Sequence, residues 1–314
     1  MTDEQTSATN RVVDSHIHFW DTDRLDYPWL RAHPDLQRPF LPTDLDAGDV
    51  FVEALLFVQA NPVWEQVDDE TGWVIGLASG DPRISAIVAG AELNRGPAAV
   101  AGHLNRLRLT SGVVGVRQLI EPETTGFALA PDFVDAVRLA GEQSLVVDLC
   151  IRWQQLAEVT RLVEQCPEVS FVLDHLGKPD IAGGERASWA TDLARLARLD
   201  NVSCKLSGLM ELADERTNDP ATIGAYLRTG VDLFGPARCM FGSDWPNASL
   251  HISYQGWVAV VLAAVADLRP DEQDQIMRGT ARSVYHRAWV LEPTPPVPGP
   301  LTGGSRLNGA LHQS

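Results

Sequence analysis

The sequence predicts an α/β fold, a single (β/α)8 barrel carrying its active site at the C-terminal ends of the strands. Three observations predict it. Eight short apolar, β-branched runs recur at regular intervals along the 314 residues. They are nearly continuous in apolar character, as expected of parallel strands buried on both faces. Between them lie segments whose apolar residues fall at helical spacing. Strands alternating with helices over about 280 residues match such a barrel. An open, doubly wound sheet is the competing arrangement, but it usually carries a Gly-rich phosphate turn after its first strand. Here that position reads His16-Ile17-His18-Phe19-Trp20, which favours the barrel.

In chain order, strands are expected at Val12–Trp20, Val52–Gln59, Ile84–Leu93, Val113–Ile120, Leu145–Ile151, Ser170–Leu176, Val202–Ser207 and Arg238–Gly242. A long connection, Asp21 to Gly48, follows the first strand and holds Tyr27, Pro28 and Trp29. Long βα loops on the C-terminal face shape the active sites of such barrels. Helices are expected at Asp132–Leu139, Gln155–Cys166, Asp192–Leu199 and Asp271–Trp289. Within the second of these, Leu156, Val159, Leu162, Val163 and Cys166 form the apolar stripe. Pro97, Pro131 and Pro220 precede or open helices, where a missing N–H costs little. Residues 1–10 read as a flexible N-terminus, 11–290 as the barrel, and 291–314 as a Pro-rich extension with little apolar content.

A net charge of −17 argues against nucleic acid and anionic membrane surfaces as partners. Cys150, Cys166, Cys204 and Cys239 are scattered without metal-knuckle spacing, so a reducing cytoplasm is expected rather than a disulfide framework. The first ten residues are polar and carry no apolar core of a signal peptide. No run approaches the roughly 20 apolar residues of a membrane span. A cytoplasmic protein follows, as monomer or homodimer, acting on a small molecule.

His16 and His18 stand two apart at the end of an apolar run, so both imidazoles project from one strand face. Such a pair suits a metal ion or proton transfer. The other strand ends add to it. The fourth ends in Gly115-Val116-Arg117-Gln118, the fifth contains Asp148, and the sixth ends in Asp174-His175-Leu176-Gly177-Lys178-Pro179. The seventh contains Lys205 and Ser207, and the eighth ends in Phe241-Gly242-Ser243-Asp244-Trp245-Pro246. Charged residues inside apolar strands are costly to bury unless paired or used.

His-x-His ending the first strand, a His ending the sixth and an Asp ending the eighth resemble the amidohydrolase superfamily. The words Asp-Ser-His-Ile-His-Phe-Trp-Asp, Gly-Val-Arg-Gln, Asp-His-Leu-Gly-Lys-Pro, Lys-Leu-Ser-Gly and Phe-Gly-Ser-Asp-Trp-Pro look more narrowly like its lactonase branch. That branch holds L-fuconolactonases, L-rhamnonolactonases and 2-pyrone-4,6-dicarboxylate lactonases. The resemblance runs in order from Val12 to Ala288. It implies that His16, His18, His175 and Asp244 form the catalytic centre, with Asp244 first taking a proton from water and later returning it to the leaving alkoxide. The position of a bridging ligand in two-metal members is here Arg117, whose guanidinium stays protonated and cannot ligate. The resemblance therefore leaves one divalent metal, Zn2+ on His16, His18, His175 and Asp244, or a metal-free site in which protonated His residues polarise the carbonyl. No organic cofactor is implied.

Arg117 and Lys205 are read as substrate-binding, with Trp29, Lys178 and His251 beside them. Each has a duller reading. Arg117 can pair with Asp148 on the neighbouring strand; Lys178 can cap a loop; His251 can face solvent; Trp29, with Tyr27 and His33, can simply pin its loop. Asp174 is expected to point away from His175 and to hold the neighbouring loop or helix. The function expected is a hydrolase opening a small sugar-derived lactone of L-fucono- or L-rhamnono-lactone type. The alternatives are a pyrone or aromatic carboxylate lactonase or decarboxylase of the same superfamily, and a non-catalytic metabolite-binding barrel.

Overall fold

A computed structural model of the chain describes residues 10–286. Eight strands pair in parallel and in chain order: β1 (Arg11–Ile17), β2 (Phe51–Val58), β3 (Ile84–Gly90), β4 (Val113–Leu119), β5 (Val146–Cys150), β6 (Phe171–Leu173), β7 (Val202–Leu206) and β8 (Cys239–Phe241). The ring closes just beyond the ends of β1 and β8. There Asp244 N donates to His16 O at 2.8 Å and His18 N donates to Trp245 O at 2.8 Å. The expected (β/α)8 barrel is therefore what the chain forms, and the closure lies at the chemically interesting residues.

Helices α1 (Val67–Ala78), α2 (Pro97–Leu109), α3 (Pro131–Glu142), α4 (Leu156–Gln165), α5 (Arg186–Leu196), α6 (Pro220–Phe234) and α7 (Tyr254–Ala264) alternate with β2 to β8. Pro97, Pro131 and Pro220 each open a helix, where their fixed φ is already helical. The β1–β2 connection forms no α-helix. It folds as three short 3-10 turns, held by Trp20, whose Nε1 donates to Leu36 O at 3.2 Å and Arg38 O at 2.8 Å.

Two expectations shift. The helix expected at Asp192–Leu199 begins six residues earlier, at Arg186, because Trp189 supplies buried apolar surface that the polar first turn conceals; Leu199 lies beyond its end. The C-terminal helix is broken into α8 (Pro270–Asp274), a π-helical turn (Gln275–Gly279) and α9 (Thr280–Val284). The helix stops at Val284, with Tyr285 and His286 in a turn; residues 287–289, the expected tail at 291–314 and most of the expected N-terminal segment lie outside the described residues.

Two apolar layers result. One fills the barrel itself, with Val13, Ala54, Leu56, Val88, Val114, Val172 and Met240 closed off by Ala281 and Tyr285. The other lies between strands and helices, and includes Val12, Ile17, Leu55, Val116, Phe171 and Phe241. These assignments show which residues face inward, which decides the geometry above the layer.

Candidate active site

Strand β1 reaches the site through an irregularity in its pairing with β2 between Asp14 and Ile17. Val13 faces inward, whereas Asp14 turns outward, accepting from Ser243 N at 2.9 Å and from Tyr254 OH on α7 at 3.1 Å. The extra residue restores His16 and His18 to the inner face, as β-bulges do when they re-aim side chains. Their Nε2 atoms come within 3.1 Å of each other.

Simple alternation governs β6 differently from the expectation. Val172 faces the interior, so Asp174 faces it too, fully buried, with Oδ1 3.2 Å from His16 Nδ1. Asp174 does not hold an outer loop; it stands beneath the imidazoles. His175 also enters the site because the backbone turns left-handed there, with φ of 53° at His175, 52° at Leu176 and 48° at Lys178. Non-glycine residues rarely adopt this region, and runs of it occur where surrounding structure over-determines them. His175 Nδ1 then lies 2.9 Å from Ser207 Oγ, and its ring centroid lies 4.5 Å from that of His16. The ring presses on the backbone at Gly208, where φ is 61° and a Cβ would strike His175 Nδ1. Asp244 has φ of 56° and precedes a cis Trp245-Pro246 bond. Its Oδ1 lies 3.3 Å from His18 Nε2 and 3.7 Å from His16 Nε2.

Protonation states follow from the partners. His18 Nδ1 faces Val58 O at 2.7 Å, and a carbonyl only accepts, so Nδ1 carries a proton and, in the neutral ring, Nε2 a lone pair. A proton on His16 Nδ1, which stands 3.2 Å from the Asp174 carboxylate, would leave its Nε2 unprotonated as well. Burial drives both His16 and His175 down, His175 to about 4 and His16 well below its ordinary value. Burial alone would raise Asp244 and Asp174. For Asp244 the neighbouring imidazoles outweigh it, and for Asp174 Lys205, His16 and Arg117 do; both stay ionised well below the usual carboxylate range. Two imidazole lone pairs and a carboxylate oxygen thus converge on one point, a donor set that fits a divalent cation.

Beneath this cluster lies a layer of ions. Arg117 NH1 donates to Asp174 Oδ2 at 3.0 Å, and its NH2 to Gln59 O at 2.6 Å. Lys205 Nζ contacts Asp148 Oδ2 and stands 3.0 Å from Asp174 Oδ1. Burial pushes Asp148 up to about 6, and Tyr285 OH donates to it at 2.7 Å. Two expectations change here. Arg117 pairs with Asp174 rather than with its strand neighbour Asp148. Lys205 does not line the cavity: it is 0% exposed and paired with Asp148 and Asp174 below the imidazoles.

Above the cluster opens a cavity of about 670 Å3. Its lining includes His18, His175 and Asp244 at the bottom, Arg117 and Lys178, and Trp29 and His251 at the sides. Trp29 is fixed by its Nε1 donating to Ala60 O at 2.8 Å. The sequence reading missed Glu121, Asn61 and Glu211, which also line it. Each is the first or an early polar residue beyond a strand end, and a rule of reading past the strand would have found them. Missed too was Glu70 on α1, fully buried, whose Oε1 accepts from Ala60 N at 3.1 Å behind the cavity wall. Burial pushes it up to about 8.

An eight-stranded parallel barrel with imidazoles and a carboxylate at its strand ends has the layout of a barrel enzyme. Residues 13–287 match the family described as amidohydrolase, and the chain belongs to that family. It is 34% identical over 287 residues to an L-fucono-1,5-lactonase of Burkholderia multivorans, covering 87% of this chain and 95% of that one. An L-fucono-1,5-lactonase of Burkholderia ambifaria is 28% identical over 282 residues, covering 87% and 94%. A crystal structure of an amidohydrolase from Burkholderia multivorans with bound zinc superposes with a TM-score of 0.78 at 33% identity, covering 88% of this chain and 99% of that one. No helix among the described residues is long and apolar enough to cross a membrane.

Proposed function

We propose that the chain is a lactonase that opens a small, neutral, sugar-derived lactone to the sugar acid, of the L-fucono- or L-rhamnono-lactone type. The observation that carries this reading is the Asp244 carboxylate set among His16, His18 and His175 at the bottom of the cavity. The likeness to the two L-fucono-1,5-lactonases supports the substrate class.

His16, His18 and Asp244, with His175 beside them, would hold one Zn2+. When bound, such an ion supplies Lewis-acid polarisation of the lactone carbonyl and acidifies a water. The chain's own residues do the rest. Asp244 accepts the proton of the attacking water as the new C–O bond forms at the carbonyl carbon. The ring C–O bond then breaks, and the proton passes from Asp244 to the departing alkoxide. The Val58 carbonyl orients the His18 ring, and the Asp174 carboxylate stands behind His16 Nδ1 at 3.2 Å.

A pyrone dicarboxylate needs cations to meet its carboxylates. Arg117 is paired with Asp174, and Lys178 with Glu121 and Glu211. That arrangement favours a neutral polyol over a dianion.

The test is a panel of aldonolactones and pyrone carboxylates, followed by acid release with a pH indicator, on metal-stripped and Zn2+-loaded protein. Turnover of aldonolactones, lost in Asp244→Asn by about a hundredfold or more, is expected. Activity confined to pyrone dicarboxylates would overturn the substrate class. Ligand binding without turnover in the wild type would return the chain to the non-catalytic reading.

A further inference from the structure

Three loops from three different strands meet on one wall of the cavity. Glu121 follows β4, Lys178 follows β6 and Glu211 follows β7. Lys178 Nζ donates to Glu121 Oε2 at 2.7 Å, while Glu211 Oε1 lies 3.7 Å away, beyond hydrogen-bond reach. The ammonium has three protons and spends one on Glu121, so its remaining donors are open toward the cavity and toward Glu211. Carboxylate, ammonium and carboxylate in a row present acceptors flanking a donor. Two adjacent hydroxyls on a ring match that pattern: each donates to a carboxylate and accepts from the ammonium. A carboxylate ligand matches less well, since it meets Glu121 and Glu211 while the nearest cations, Lys178 and Arg152, are already paired with Glu121.

We infer that Glu121, Lys178 and Glu211 form a specificity wall that recognises vicinal ring hydroxyls of a neutral polyol lactone. This rests on the lactonase reading and deepens it. The wall stands over His175, because Lys178 follows it by three residues through the same left-handed turn. Reading the hydroxyls there fixes the lactone ring relative to the site where its carbonyl must sit. Burial, with Asp244 next in weight, pushes Glu211 up to about 7.

The experiment compares a polyhydroxylated δ-lactone with δ-valerolactone, which has the same ring and no hydroxyls. In Glu211→Ala and Lys178→Met, the ratio of kcat/KM for the polyol lactone over δ-valerolactone should fall about tenfold or more, the loss of one charge-assisted hydrogen bond. The loss should lie mainly in KM. Thermal melts establish that each variant folds. A second readout is calorimetric binding of the corresponding polyhydroxy δ-lactam, which should weaken by a similar factor. Ratios unchanged within about twofold in both folded variants, with lactam binding intact, overturn the wall. If the wild type opens no lactone yet the lactam binds and both variants weaken it, the wall stands and the hydrolytic reading falls.

Discussion

His16 Nε2 faces His18 Nε2 across 3.1 Å, and the second nitrogen of each ring is directed elsewhere, toward Asp174 and Val58 O. Two lone pairs at that separation repel unless a cation lies near both. One equivalent of Zn2+ is therefore expected to bind, with His16→Asn and His18→Asn each abolishing stoichiometric uptake. Metal analysis of dialysed protein and calorimetric titration check this. Asp174→Asn keeps the ligands and removes the carboxylate behind His16, so affinity should fall about 10- to 100-fold without loss of stoichiometry.

Lys205 is the counter-charge of two buried carboxylates, Asp148 and Asp174. Removing one member of such a group leaves uncompensated charge in the interior. Lys205→Met should cost about 3–5 kcal/mol of stability, read as a lower urea midpoint. A substrate-binding lysine would instead raise KM and leave the midpoint nearly unchanged.

Glu70 makes stability depend on pH in the direction opposite to most carboxylates. Its folded value is about 8 against 4.5 when exposed, mainly through burial. The folded state thus holds a proton that the unfolded state releases, and stability falls as pH rises between those values. The loss begins near 4.5 and levels off above about 8. Glu70→Gln keeps an acceptor for Ala60 N and removes the titration. Melting temperatures from pH 6 to 9 should decline less steeply in the variant, and parallel curves would refute the assignment.

Gly208 has no room for a side chain. A Cβ there would meet the His175 ring, and φ of 61° disfavours any L residue. Gly208→Ala should displace His175 and lower kcat more than it raises KM, with the fold retained by far-ultraviolet circular dichroism.

The barrel was legible because its strands are continuous apolar runs, and His16, His18, His175 and Asp244 because strand ends carry polar residues that a core has no use for. Asp174 and Lys205 show where the reading stops. Counting back from His175 by straight alternation turns Asp174 outward, but alternation from Val172 already places Asp174 inside and the left-handed turn then brings His175 in beside it. Dihedral angles of that kind leave no mark in residue type here, since His and Leu hold the positions where Gly is usual. Lys205 was rightly seen as too costly to lie idle, yet its employment is electrostatic and internal. Glu121 and Glu211 escaped notice because they lie in loops, where acidic residues are common and only folding brings them together.

The ion layer of Arg117, Asp174, Lys205 and Asp148 has one more effect. With the apolar filling of the barrel below it and Tyr285 beneath, it makes the chamber blind-ended. Substrate, water and product must share a single doorway at the loop side. An acid formed at the far end has to back out past Lys178 and its two glutamates before another molecule enters.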